Sequence, residues 1–125
     1  MGYRNAACAI RSSASDAEQL EHHAQQLRLC VSMGGSVEIH EPGCDEPKAI
    51  VAAALLAMSP QDISGRHAIR LARQRTLAAA ADAAASPSRL ARLIQDEVAL
   101  AAAAHAKSLS DIECAGGSVT YRVQQ

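Results

Sequence analysis

Two glycine pairs constrain this chain more than any other feature. Gly34-Gly35 and Gly116-Gly117 each close a partly apolar run, and each is followed by Ser-Val. A glycine pair between alternating runs suits a two-residue hairpin turn, because such turns need positive φ, which glycine adopts without strain. The expected hairpins join Leu29–Met33 to Ser36–His40 and Ile112–Ala115 to Ser118–Val123. The competing reading is a helix that stops at the first glycine and is followed by a single strand. Local pattern leaves both open. The two units also resemble each other. His23-Ala24, Leu27 and Gly34-Gly35-Ser36-Val37 recur 82 positions later as His105-Ala106, Leu109 and Gly116-Gly117-Ser118-Val119. These seven identities suggest an internal repeat with pseudo-twofold symmetry.

Helix starts are marked by caps and prolines. Ser15-Asp16-Ala17-Glu18 has the form of a capping box, in which serine and glutamate satisfy free amides. Pro47, Pro60 and Pro87 each stand where a first helical residue would, and Ser59 and Ser86 precede two of them. Proline's missing amide costs nothing at that position. The pattern predicts helices near 15–28, 46–58, 60–84 and 87–107, the third bending or breaking near Gly65. The fold class expected is α+β: about four helices and two short hairpins in one domain spanning 1–125.

A chain of 125 residues can bury a core without disulfides or metals. This one must do so without Phe or Trp, with Tyr3 and Tyr121 as its aromatic rings and alanine in abundance. Small side chains bury little area each, so helices must approach closely or copies must associate. A homodimer is expected for that reason. No run approaches the roughly 20 apolar residues of a membrane span, and Ile50–Met58 is too short. No basic segment precedes an apolar one at the N-terminus, so neither a membrane segment nor a signal peptide is expected. Cys8, Cys30, Cys44 and Cys114 form no CxxC and read as buried or free thiols of a reducing, cytoplasmic setting.

A formal net charge of −1 hides an uneven layout. Residues 12–58 carry seven acids against Arg28 and Lys48, whereas residues 66–92 carry six arginines against Asp82. Arg66, Arg70 and Arg73 fall at i, i+4 and i+7, which places three guanidinium groups on one helix face. Arg75 follows, and Arg89 and Arg92 sit beside Ser86 and Ser88. Guanidinium groups grip phosphate, and free amides at a helix start add to that. A helix over 60–75, a short helix near 76–84, a break at Ala85-Ser86-Pro87 and a helix from Arg89 make a helix-turn-helix order. The hairpin over 112–123 would stand where a wing does.

The segment Ser86-Pro87-Ser88-Arg89-Leu90-Ala91-Arg92-Leu93-Ile94, with Glu97 and Leu100, resembles the recognition-helix region of AraC-type regulators. The resemblance covers about 25 residues (76–100) and implies Ser88, Arg89 and Arg92 as base or phosphate contacts. A family glycine is replaced near Ala84, and one motif is found where the family module holds two. Separately, Val37, Ile39, Gly43, Asp45-Glu46 and Lys48-Ala49-Ile50, within residues 35–58, resemble the last strand and helix of the histidine phosphocarrier proteins of sugar transport. That family carries phosphate on a histidine in a Gly-x-His-Ala-Arg-Pro segment, and Gly65-Arg66-His67-Ala68-Ile69-Arg70 is similar at three positions. The segment lies after the strand–helix unit rather than before it and lacks Arg-Pro, so His67 reads as a surface histidine.

Other chemistry finds little support. Cys30, His40 and Cys44, with His22 or His23, are zinc-ligand types at no standard spacing, and neither a metal nor a cofactor is expected. No nucleophile elbow, phosphate loop or dinucleotide fingerprint is present, so the chain does not read as an enzyme. The sequence therefore points to a small DNA-binding regulator. Arg66, Arg70, Arg73 and Arg75 neutralise phosphates, and Ser88, Arg89 and Arg92 form the recognition end. The alternative is a protein-interaction module, such as a chaperone, an inhibitor or a phage or plasmid accessory protein, that uses the acidic and basic faces.

Overall fold

The computed structural model describes residues 13–85 and 98–123. Along the chain come α1 (Ser13–Ser32), β1 (Ser36–His40), β2 (Lys48–Val51), α2 (Ala52–Ala57), a 3-10 turn (Pro60–Ile63), α3 (Gly65–Ala85), α4 (Val98–Cys114) and β3 (Ser118–Arg122). These elements are an α+β architecture: a three-stranded antiparallel sheet in the order β2-β1-β3, covered by helices.

The glycine pairs are helix stops, not hairpin turns. In α1, His23, Ala24, Leu27, Cys30 and Val31 are buried, a spacing of three and four that carries the helix to the glycines. Gly34 then takes φ 70°, and the Gly35 amide donates to the Cys30 carbonyl at 2.7 Å. Gly116 takes φ 107°, and the Gly117 amide donates to the Ile112 carbonyl at 2.9 Å. Each is a Schellman-type stop, in which a left-handed glycine returns two amides to the last turn. Leu29–Ser32 and Ile112–Cys114, expected as strands, are helix. Consequently β1 forms its hairpin with β2, through residues 41–47, and β3 is a single strand laid against β1. The wing expected over 112–123 is therefore not formed.

Two further expectations change. The helix drawn over 46–58 is a strand followed by the short α2. Lys48 and Ile50 alternate with exposed Ala49, and Val37 and Ile39 of β1 pair with Ile50 and Lys48, so burial on one sheet face outweighs alanine's helix preference. The short helix near 76–84 is the second half of an unbroken α3. The expected break at Gly65 (φ 88°) is present, between the 3-10 turn and α3. The helix expected over 87–107 runs from Val98 to Cys114 in its described part.

Val37, Ile39 and Ile50 face Leu27, Leu55, Ile63 and Leu109, all of them fully buried. Each such side chain contributes about 2 kcal/mol by leaving water. Ala24, Ala102 and Ala106 are buried where α1 and α4 pack together, so small residues trade area for close approach. No helix among the described residues is long and apolar enough to cross a membrane. Cys30 and Cys44 are free, but Cys114 is disulfide-bonded, so the cysteines no longer point to one compartment.

Candidate functional site

Helix α3 is anchored by one narrow stripe. Ala68, Ile69 and Ala72 are buried, and the Thr76 hydroxyl accepts the Val51 amide of edge strand β2 at 3.4 Å. At about 100° per residue, Arg66, Arg70 and Arg73 then project from one side of the helix. All three are exposed, and together they line a cavity of about 460 Å³. Arg75 is exposed but lies about half a turn away from Arg66, and it does not line the cavity. Ser88, Arg89 and Arg92 lie outside the described residues.

The opposite wall is one that sequence reasoning missed. It is the β1–β2 loop, which brings Cys44, Asp45 and Glu46 against the arginines. Glu46 makes an ion pair with Arg73, with both side chains more than half exposed. Among the described residues neither Arg66 nor Arg70 has an acid at ion-pair distance. The site thus holds two arginines open to a ligand and a third already engaged.

A buried ion pair holds this loop in place. Lys48 is 4% exposed on the inner face of β2, and its ammonium donates to Glu41 at 3.0 Å and to the Ile63 carbonyl. Glu41 also accepts the Gly65 amide at 2.7 Å. Burial alone would raise the Glu41 carboxyl. The Gly65 amide, the Lys48 ammonium and the Ser64 hydroxyl outweigh that and hold it below its usual value. One carboxylate therefore ties the loop after β1, the edge strand and the first residue of α3 together. A second cavity, of about 400 Å³, lies on the other side of Cys44, bounded by Glu41, Ser64, Ser108 and Asp111.

A different polar cluster joins α1, α4 and β3. The Tyr121 hydroxyl donates to Nδ1 of His23, whose Nε2–H donates to Oε1 of Glu113 at 2.7 Å. Gln19 donates to the same oxygen at 2.9 Å. A single neutral tautomer of His23 satisfies every one of these bonds. Burial first, then the charge of Glu113 and the Cys30 thiol, pushes the Tyr121 hydroxyl well above its ordinary value, so it keeps its proton. The order Tyr–His–Glu looks like a proton relay, but these residues line neither cavity. The cluster is a polar staple.

The remaining candidates separate. Burial pushes the Cys30 thiol up, beneath the Ser36 and Arg122 carbonyls, while His40 and His67 are exposed. No three His, Cys, Asp or Glu side chains converge to hold a metal ion among the described residues. The chain matches no family model, no curated protein and no solved structure.

Proposed function

We propose that this chain is a small, non-enzymatic DNA-binding regulator that acts as a homodimer and grips the phosphate backbone with Arg66 and Arg70. The observation that carries the reading is the exposure of both guanidinium groups on one face of α3, with no acid partner among the described residues. Arg73 contributes less because Glu46 holds it, and Arg75 meets a different part of the surface. The homodimer is proposed because alanine fills so much of the core. The AraC resemblance would place base or phosphate contacts on Ser88, Arg89 and Arg92.

Fluorescence anisotropy with a labelled duplex, at low and near-physiological salt, tests this. Each phosphate contact contributes about 0.9 to the slope of log affinity against log salt. Arg66→Ala with Arg70→Ala should therefore flatten the slope by about 2 and weaken all sequences alike. An unchanged slope, or no binding at low salt, would overturn the proposal.

A protein-interaction module is the second reading. Leu77 is 73% exposed three turns above Arg66 on the same side of α3, and Asp45 and Glu46 face that side. A mixed patch of arginine, acid and leucine suits a protein surface as well as a nucleic acid. Absence of any nucleic-acid affinity would favour this reading.

A further inference from the structure

We propose that the cavity between α3 and the β1–β2 loop is a binding site for a phosphate monoester, held by Arg66 and Arg70. The cavity of about 460 Å³ falls within the roughly 300–1,000 Å³ of small-molecule sites. That is more room than the phosphate itself needs, so the site accommodates the group that carries it. A monoester bears about two negative charges at neutral pH and three acceptor oxygens. Two guanidinium forks one helical turn apart match that charge and that number of acceptors better than they match a single carboxylate. The walls suit the rest of such a ligand. Ile69 is an apolar surface between the arginines, and Asp45 supplies an acceptor for a hydroxyl or amine.

The loop also sets a threshold for binding. Glu46 already occupies Arg73 with a carboxylate, as a ligand oxyanion would. A phosphate that recruits all three arginines must displace Glu46, so Glu46→Gln tightens binding while Arg66→Ala and Arg70→Ala weaken it. The buried Glu41–Lys48 pair fixes the loop at one end, so Glu46 competes from a defined position. The site shares two arginines with the nucleic-acid reading but does not rest on it. A backbone diester carries one charge per phosphate, and duplex binding can fail while monoester binding holds.

The experiment is calorimetric titration of the full chain with three probes that share this chemistry. They are adenosine 5′-monophosphate, O-phosphoserine and inorganic phosphate, with adenosine and serine as controls. A local readout accompanies it: the rate at which iodoacetamide alkylates Cys44, followed by mass spectrometry of its peptide. The expected result is binding of the phosphates and not of the controls. Arg66→Ala with Arg70→Ala weakens it about tenfold or more, and bound phosphate slows Cys44 alkylation. Arg75→Ala, off the cavity, changes affinity by less than about twofold because its charge is screened. Preference for the nucleotide over the other two assigns a nucleotide as the source, and preference for phosphoserine assigns a modified side chain. Equal affinity for all three means that the carrier group is not recognised and overturns the monoester assignment. If the alanine variants unfold, Arg66→Gln and Arg70→Gln keep the stems and remove the charge. Absence of heat and of Cys44 protection with all three probes overturns the proposal. So does equal weakening by Arg75→Ala.

Discussion

The two helix–glycine–strand units show how far like sequences can diverge in use. The units α1–β1 and α4–β3 share seven residues, the same glycine stop and the same buried face. Strands β1 and β3 lie side by side, with Ser36 opposite Arg122 and His40 opposite Ser118. Gly35 packs against the Arg122 carbonyl and Gly117 against the His40 carbonyl. Their histidines occupy matching helical positions, and both are buried. Yet His23 is held by side chains from β3 and α4, whereas His105 faces two backbone carbonyls, those of Ala101 and Met58, each at 2.8 Å. A neutral ring can donate to only one of those carbonyls at a time, while His23 both accepts and donates. Local sequence sets the helical period that aligns the two rings. The neighbours across the fold decide what the ring does.

Three experiments test how alike the two units are. The largest effects fall on the second glycine of each pair. A methyl group at Gly35 or Gly117 would strike a facing strand carbonyl, so Gly35→Ala and Gly117→Ala should each cost about 3 kcal/mol in urea melts. Gly34→Ala meets open space and suffers only its positive φ, about 1 kcal/mol. Equal losses at Gly34 and Gly35 would show that the strands do not approach as described.

The histidines come next. His23→Ala leaves Glu113 and Tyr121 without their shared partner and should cost about 3 kcal/mol, against about 2 kcal/mol for His105→Ala. A double-mutant cycle of His23→Ala with Tyr121→Phe should show coupling, and His105→Ala with Tyr121→Phe should be additive. The reverse pattern would remove the distinction between the two units.

The smallest effect is in pH dependence. The Tyr121 hydroxyl is raised in the folded state, so its contribution is complete below the unfolded value of 10.0 and is lost as pH rises beyond it. At about pH 11 the loss should reach about 1.4 kcal/mol, and Tyr121→Phe should abolish it. Glu41 behaves in the opposite sense. Its carboxyl is lowered in the folded state, so its contribution is present above 4.5 and fades as pH falls through the folded value. Stability measured from pH 2 to 12 in the parent chain, in Tyr121→Phe and in Glu41→Gln checks each limb.

Parts of the site were legible because they are local. Arg66, Arg70 and Arg73 share a helix face by spacing alone, whereas their cavity needs the β1–β2 loop as its second wall. The partner that takes Arg73 was not legible, because Glu46 is 27 residues away and meets it only when β2 packs under α3. The Tyr121 contact to His23 spans 98 residues and left no local trace. The glycine pairs are a different case. The three-and-four spacing through His23, Leu27 and Cys30 was present in the sequence, as it was through His105, Leu109 and Ile112. That spacing outranks the alternation that suggested a hairpin.

At Gly34 and Gly116 the sequence left hairpin turn and helix stop both open, whereas the α+β class, the break at Gly65 and the arginine face of α3 are written in it. Each follows from interactions within a few residues: capping, φ preference and helical period. Only the tertiary structure decided that 48–51 is a strand, that β3 pairs with β1, and that Glu46 closes on Arg73 while Arg66 and Arg70 stay open. Those outcomes depend on which distant surfaces are buried together. Burial is a property of the whole core, and an alanine-rich segment carries too little side-chain information to announce it.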